Sequence, residues 1–462
     1  MANASGAGEA TGLRPVLGRW TLLSIGVGAI VGAGIFVIPG PAAAQFAGPA
    51  IVLSFVIAAL GCALAGLCYA ELAAMFPVAG SAYAYSLRAF GRVTAWVVGW
   101  LLILEYIFAA AIVTQGFSAY AGVLLPNVSP TFHQALVKGV LPVLLVISVS
   151  FLAIRGIELS ARVNNVIVVM KVMLIMAVIC FGIPYINPRH WTPFVPANTG
   201  HWGEFGWSGV IRAAGIVFYT FLGFDIVSVS AQEARRPQRD IPFALLGSLV
   251  ACCALFIPLT LVVLGLTDYR LLNVADPIAL ALKGANGHLD WLVPLVGIGA
   301  TIGMISVVLV VLMGQARILF AMANDGLLPA VLGRLHSHWE TPYMATLAGA
   351  AVVLLLALSV PISLLAQMVS VGVLSAFVAV ALAVLVLRRR QPNAVRPFRT
   401  PWVPFVPVGA MLVCGYMAVG LPALTWLRFV CWLAIGAVVY GLYGRRNQAP
   451  AAGSTSDEGL SY

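Results

Sequence analysis

Residues 26–36 read Gly-Val-Gly-Ala-Ile-Val-Gly-Ala-Gly-Ile-Phe and lie within the first long apolar stretch of the chain. Each Gly costs a helix interior ~1 kcal/mol relative to Ala, so four glycines here predict a segment that is not continuously helical. Close helix packing through small residues is the alternative explanation. A second interruption favours the break, because residues 219–225, Tyr-Thr-Phe-Leu-Gly-Phe-Asp, place a Gly and an acid within another apolar stretch.

The composition around these stretches is that of a membrane protein. Hydrophobic residues make up 61% and charged residues 9% of the 462 residues, whereas soluble domains carry ~45–50% and ~25%. A spanning helix needs ~20 apolar residues, so the length accommodates about twelve spans and no large soluble domain. We predict spans at roughly 20–46, 50–76, 93–123, 135–153, 163–185, 209–230, 242–266, 291–316, 343–360, 363–387, 403–421 and 427–443.

The distribution of basic residues predicts the orientation. With the N-terminus inside, eighteen of the 25 Lys and Arg residues, Arg317 and Arg388 among them, fall in inner connections and six in outer ones. This positive-inside bias places both termini in the cytoplasm. It also accounts for the net charge of +10 without a nucleic-acid partner. The N-terminal segment lacks a basic start followed by an apolar core, so we do not expect a cleaved signal.

Three ionisable residues fall well inside predicted spans: Glu105, Lys171 and Asp225. A charge at the bilayer centre costs ~2.5–3.5 kcal/mol on insertion scales, so each is a candidate functional residue. The alternatives are an internal ion pair that only fastens the helices, or an acid kept neutral. Glu71, at the inner end of the second span, is expected at the membrane interface.

Lys171 is the most informative of the three. Desolvation disfavours its ammonium form, so the side chain can release a proton. A fixed ammonium can also occupy the place of a bound Na⁺ beside the broken helix. Either property favours a proton-linked or uncoupled mechanism over a sodium-coupled one.

The chain carries no pattern typical of a metal or cofactor site. Its seven cysteines lie in apolar segments without repeated ligand spacing, and its six histidines fall in polar connections. No His/Glu metal motif and no Ser/His arrangement lies at membrane depth. We therefore expect no cofactor, no metal and no enzymatic activity.

Several motifs resemble those of the amino acid/polyamine/organocation (APC) superfamily, within it the cationic amino acid transporter-like branch. They run in family order across nearly the whole chain. They are residues 28–36 (GAIVGAGIF), 69–77 (YAELAAMFP), 80–83 (GSAY), 160–165 (SARVNN), 218–225 (FYTFLGFD), 232–237 (QEARRP) and 317–329 (RILFAMANDGLLP).

The resemblance implies an all-α integral membrane protein with twelve transmembrane helices. Five plus five of them form a LeuT-like inverted repeat in which helices 1 and 6 are broken, an arrangement found in many transporters. The implied segments are a cytoplasmic N-terminal segment at 1–19, repeats at 20–185 and 209–387, helices 11 and 12 at 403–443, and a cytoplasmic tail at 444–462.

The resemblance also implies one central amino acid site. The backbone N–H groups of Ala33 and Gly34, near Gly32, are the implied ligands of the α-carboxylate. This agrees with the positive dipole end and free N–H groups of a half-helix. The implied ligands of the substrate ammonium are the carbonyls of Ile30, Tyr219 and Leu222.

The family also suggests roles for the charged residues at depth. Lys171 matches the lysine that fills the vacated sodium position, and Glu105 and Asp225 match acids linked to proton coupling or site polarity. Tyr219 is a departure, because the family often has Phe there.

We therefore expect a secondary transporter of the inner membrane that imports L-amino acids by alternating access, is proton-coupled and is independent of sodium. Its expected partners are the amino acid, the proton and membrane lipid. An amino acid/polyamine exchanger is the alternative, and an ion channel is less favoured. Small neutral substrates rank slightly above cationic ones, for which Glu105 offers a partner. Met304 and Ser306 are candidate wall residues, although core packing is the favoured explanation for them.

Overall fold

The computed structural model describes residues 15–78, 80–123, 129–274, 276–419, 421 and 423–444. Most of the expected N-terminal segment and of the expected tail lies outside these residues. The described residues fold into helices, and their β-structure is one bridge between Leu17 and Ala234. A helical fold suits this composition, because a bilayer core offers the backbone no hydrogen-bond partners.

Nine helices form the first part of the described chain. They are α1 (Arg19–Ile30), α2 (Ala33–Val37), α3 (Pro39–Ala42), α4 (Ile51–Met75), α5 (Ala82–Phe90), α6 (Arg92–Val123), α7 (Pro130–Ala135), α8 (Leu141–Ile154) and α9 (Ile157–Gly182).

Nine more helices complete the described part. They are α10 (Gly206–Val217), α11 (Ile226–Val229), α12 (Pro237–Leu266), α13 (Pro277–Lys283), α14 (Leu292–Asn324), α15 (Tyr343–Ser359), α16 (Ile362–Arg390), α17 (Phe405–Val419) and α18 (Ala423–Val439).

The helical segments coincide in position with the predicted spans. Ten apolar stretches of the described chain are long enough to cross a membrane. The segments predicted at 343–360 and 403–421 correspond to α15 and α17, which are apolar but only 17 and 15 residues long. The sequence left 77–92 unassigned, and the structure places α5 there.

Long helices surround the two interrupted ones. α6 packs along α14 and α16, and α12 packs along α4 and α1. α1 also contacts α9, α14 and α11, and α2 contacts the turn that follows α10. The interruptions therefore lie at the centre of the helical assembly.

Two charged residues have buried surroundings that the sequence does not predict. Arg317 is expected in an inner connection, but α14 continues beyond it to Asn324 and the residue is only 5% exposed. Glu71, near the C-terminal end of α4, is 1% exposed. It accepts two hydrogen bonds from the Arg388 guanidinium, at 3.0 and 2.7 Å, and one from the Thr400 N–H at 2.7 Å. The arginines at these positions therefore connect helices, in addition to contributing to the positive-inside bias.

Candidate functional site

The first interruption lies at Val31 and Gly32. α1 ends at Ile30, Val31 leaves the helical region with ψ 86°, and Gly32 is extended with φ −143° and ψ −148°. The chain then stays helical through α2, α3 and a π turn. The last carbonyls of α1 and the first N–H groups of α2 lack intrahelical partners, so polar backbone is available inside the protein.

The second interruption faces the first. α10 ends at Val217, a 3₁₀ turn covers Phe218–Phe221, and α11 begins at Ile226. Gly223 has φ +105°, a conformation that favours glycine, and a Cβ there would lie 2.9 Å from the Cβ of Ala29. The second break is therefore in close contact with the end of α1.

A small cavity lies between the breaks. Its volume is about 40 Å³, whereas a site for one water molecule needs ~10–15 Å³. The expected ligands that line it are Ile30, Gly32, Gly34, Tyr219 and Leu222. Ala33 is the first residue of α2, directly between two of these lining residues.

The opposite wall is aliphatic. It comes from α6, α14 and α16 through Ala109, Val113, Val307, Val311 and Val369. Met304 and Ser306, the wall residues suggested by the sequence, are buried but do not line this cavity.

The orientation of α14 depends on contacts that the sequence does not state. Most of the helix is buried, so its hydrophobic pattern does not mark one face. A Cβ at Gly303 would lie 3.0 Å from the Lys171 Cε, which fixes one side of the helix against α9. One turn later Val307 reaches the break, where a Cβ at Gly32 would lie 2.7 Å from its Cγ2.

Lys171, on α9, contacts the backbone at the first break. It is fully buried, and its Nζ donates to the carbonyl oxygens of Gly28, at 3.1 Å, and Val31. Among the described residues no carboxylate forms an ion pair with it. Its partners are therefore carbonyls at the negative end of the α1 dipole.

The two acids at depth occupy different places. Glu105 lines the cavity, is 2% exposed, and its Oε2 has no hydrogen-bond partner among the described residues. Asp225 is fully buried behind the cavity, and its Oδ2 accepts a 2.7 Å hydrogen bond from the Tyr106 hydroxyl. Its Oδ1 is likewise unpartnered within the described chain. Neither acid pairs with Lys171, so the ion-pair alternative does not describe these residues.

A second polar cluster joins α14 to the 3₁₀ turn at Ala231–Glu233, between α11 and α12. Arg317 donates to both carboxylate oxygens of Glu233, at 2.6 and 2.9 Å, and both side chains are almost completely buried. The Leu17 N–H donates to the Glu233 carbonyl at 2.7 Å, and the Arg235 N–H donates to the Leu17 carbonyl at 2.9 Å. The motifs QEARRP and RILF contain both ion-pair residues, but the sequence did not show that they meet.

A second, small pocket of mixed polar and apolar lining lies between this ion pair and the central cavity. Asn164, Ser160 and Arg317 are among its lining residues, and Ile226 of α11 borders both spaces. Asn164 is 1% exposed, and its Oδ1 has no partner among the described residues. Buried polar groups therefore continue from the breaks toward the Arg317 ion pair.

The apolar helices of spanning length define a multi-pass membrane protein. Comparison with known proteins identifies its family, because residues 17–441 match the amino acid permease family. The chain belongs to this family, and with it to the APC superfamily.

Three relatives illustrate the range of the family. The methylthioribose transporter of Bacillus subtilis (strain 168) is 38% identical over 453 residues, 96% of each chain. The branched-chain amino acid permease BcaP of the same organism is 39% identical over 94% of each chain. The vacuolar cationic amino acid transporter 2 of Arabidopsis thaliana is 36% identical over 80% of this chain and 59% of its own length.

Proposed function

We propose that the protein is a secondary active transporter that imports L-amino acids across the cytoplasmic membrane by alternating access. The observation that carries this proposal is the pair of interrupted helices around one cavity. Irregular backbone at membrane depth is tolerated where it is buried or lines a cavity. Transporters use such breaks to bind a substrate with backbone groups.

The carboxylate of an amino acid is bound by N–H groups, and its ammonium is bound by carbonyl oxygens. The N–H groups of Ala33 and Gly34, next to Gly32, start α2 and are suited to a carboxylate. The ammonium is held by carbonyls of Ile30, Tyr219 and Leu222. The Tyr219 carbonyl already accepts from the Leu222 N–H at 3.2 Å, but a carbonyl has a second lone pair. The positions of Ile30, Gly32, Gly34, Tyr219 and Leu222 in the cavity lining support the assignment.

The aliphatic wall favours a neutral, apolar side chain. Val307 and Val311 of α14, with Val113 of α6, face the breaks and offer no charge to a substrate. The name of the permease BcaP, for branched-chain amino acids, is consistent with such a wall. Glu105 is the lining group that is able to pair with a cationic side chain. We rank small neutral and branched-chain amino acids above cationic ones, and an amino acid/polyamine exchanger remains the alternative.

We assign coupling to Lys171, Glu105 and Asp225. The Lys171 ammonium sits against the carbonyls that end α1, where it takes the place of a sodium ion. Glu105 has a free carboxyl oxygen at the cavity, and Asp225 has one behind Tyr106. Carboxyl groups with unused hydrogen-bonding capacity are suited to gain and lose a proton during the cycle. We therefore propose that transport is coupled to protons and independent of sodium.

The proposed membrane topology has twelve spans and cytoplasmic termini. Helices from 20–185 and from 209–387 form two inverted repeats of five, and α17 and α18 follow at 403–443. The breaks at Gly32 and Gly223 then fall in the first helix of each repeat. The bias of Lys and Arg toward one set of connections supports the orientation.

Alternating access requires two movements in this structure. The cavity has a volume of about 40 Å³, so its walls must separate before an amino acid fits. On the side of α12, the Arg317–Glu233 ion pair and the hydrogen bonds of Leu17 lie next to the second pocket. We propose that they form the cytoplasmic gate, which opens when the ion pair separates.

Purified protein in liposomes tests the proposed function. A thermal-shift panel of the twenty amino acids and several polyamines identifies ligands, and uptake of the strongest ligand is then measured with a pH gradient, a sodium gradient or neither. We expect saturable uptake that concentrates substrate only with the pH gradient. Counterflow without net uptake supports the exchanger instead. Single-channel currents, or accumulation driven by sodium, contradict the proposal.

A further inference from the structure

A groove on the membrane-facing side of α12 is distinct from the central cavity. It is a shallow surface groove with a volume of about 570 Å³. Phe243, Leu246 and Val250 form its floor, and Phe398, from the connection between α16 and α17, forms one side. Val250 is 69% exposed and Phe243 40%. The groove is open toward the position of the lipid.

Positive charge lies at one end of the groove only. The Arg19 guanidinium stacks 5.8 Å from the Phe243 ring centroid and 5.2 Å from that of Trp20. Arg239 is exposed one turn before Phe243, and Arg399 is exposed next to Phe398. Asp240 is the acidic residue in the first turn of α12. The three arginines therefore give this end of the groove a net positive charge. None of these arginines forms a salt bridge with another described residue.

The other end of the groove is uncharged. From residue 241 to its end at Leu266, α12 has no Asp, Glu, Lys or Arg. An occupant that fits this distribution has an anionic group beside Arg19 and Arg239 and an apolar body beside Leu246 and Val250. Basic residues at a membrane surface attract anionic lipid headgroups.

We propose that this groove binds an anionic phospholipid in the leaflet where α12 begins. The phosphate lies beside Arg19 and Arg239, and one acyl chain lies along Phe243, Leu246 and Val250. A partner transmembrane helix fits less well, because the groove covers residues 242–251. These ten residues of α12 are about 15 Å long, whereas a partner helix crosses ~30 Å of hydrocarbon. The bound lipid also contacts Trp20, and so connects α12 to the start of α1.

Competition between two lipids tests the site. The full-length protein, purified in detergent, is mixed with equal amounts of phosphatidylglycerol and phosphatidylcholine with the same acyl chains, and the retained lipids are counted by native mass spectrometry. We expect preferential retention of phosphatidylglycerol. Each of the variants Arg19→Gln and Arg239→Gln lowers this preference about fivefold, the change expected for one basic residue at an anionic surface. Val250→Trp fills the groove and displaces the lipid.

Two variants serve as matched controls. Arg155→Gln removes another arginine that stacks on aromatic rings, those of Phe151 and Trp339, away from the groove. Val169→Trp enlarges a 64% exposed side chain on α9. Both are expected to retain lipid like the wild type. Equal retention of the two lipids, equal effects of the controls, or a polypeptide that remains bound in place of lipid overturns the proposal.

Discussion

The side-chain ammonium of Lys171 on α9 donates a hydrogen bond to the carbonyl of Gly28 in the last turn of α1, 3.1 Å away. The same ammonium donates to Val31, the residue at which α1 stops being helical. Within the described chain both of its hydrogen-bond acceptors are backbone carbonyls, and no carboxylate forms an ion pair with it. The charge on α9 and the shape of the break in α1 are therefore connected.

Replacement of Lys171 by Ala is expected to abolish concentrative uptake. The variant removes both hydrogen bonds to the end of α1, together with the positive charge that the coupling proposal requires. The measurement is pH-driven accumulation in liposomes, which is expected to stop at equal concentrations inside and outside. Elution as a single species in size-exclusion chromatography checks folding. Lys283→Ala, at an exposed position in α13, is the control. Full pH-driven accumulation by Lys171→Ala would remove this residue from the mechanism.

Replacement of Gly34 by Ala is expected to weaken substrate binding by about tenfold or more, equivalent to about 1.4 kcal/mol. A Cβ at this position would lie 2.9 Å from the Cα of Thr220, so the two breaks must move apart. Thermal-shift titration with the identified amino acid measures the change. Gly215→Ala is the matched control, because it lies in α10 and a Cβ there meets no atom within 4 Å. Equal affinities of the two variants would contradict the proposed carboxylate site.

The sequence predicted the positions of the helices and of their interruptions well, for local reasons. Clustered glycines in an apolar stretch disfavour a continuous helix, and Gly32 lies at the first break and Gly223 within the second. Lys171 was recognisable because a charge is rare in an apolar run. These signals depend on residues close together in the chain, so they needed no knowledge of helix packing.

Contacts between distant segments were less predictable. Glu233 and Arg317 are 84 residues apart, and Glu71 and Arg388 are 317 apart. An arginine near a helix end is able to mark the cytoplasmic side of the membrane or to pair with a buried acid. The sequence of Arg317 and Arg388 does not distinguish these two roles. Similarly, Val307 and Val311 look like ordinary core residues until the position of α14 against α9 is known.

Replacement of Glu233 by Gln is expected to destabilise the ion pair of the proposed cytoplasmic gate. It leaves the buried Arg317 without its charged partner, and loss of one partner of a buried pair typically costs ~3–5 kcal/mol. Thermal denaturation in detergent is expected to show a lower Tm. Arg270→Gln is the control, because it breaks an exposed pair with Asp268, for which we expect no measurable change. An unchanged Tm for Glu233→Gln would show that the buried pair does not stabilise this structure and would contradict its role in the proposed gate.

Replacement of Glu105 by Gln separates its two proposed roles. Gln keeps the shape of the side chain but cannot carry a proton in and out of the cavity. If Glu105 serves coupling, the variant binds amino acids in the thermal-shift panel like the wild type and loses pH-driven accumulation for all of them. If Glu105 instead pairs with cationic side chains, binding of arginine and lysine falls and binding of neutral amino acids does not. We expect the first result, because the remaining wall at Val113, Val307 and Val311 is apolar. Asp225→Asn, which retains an acceptor for the Tyr106 hydroxyl, shows whether the second acid shares the coupling role.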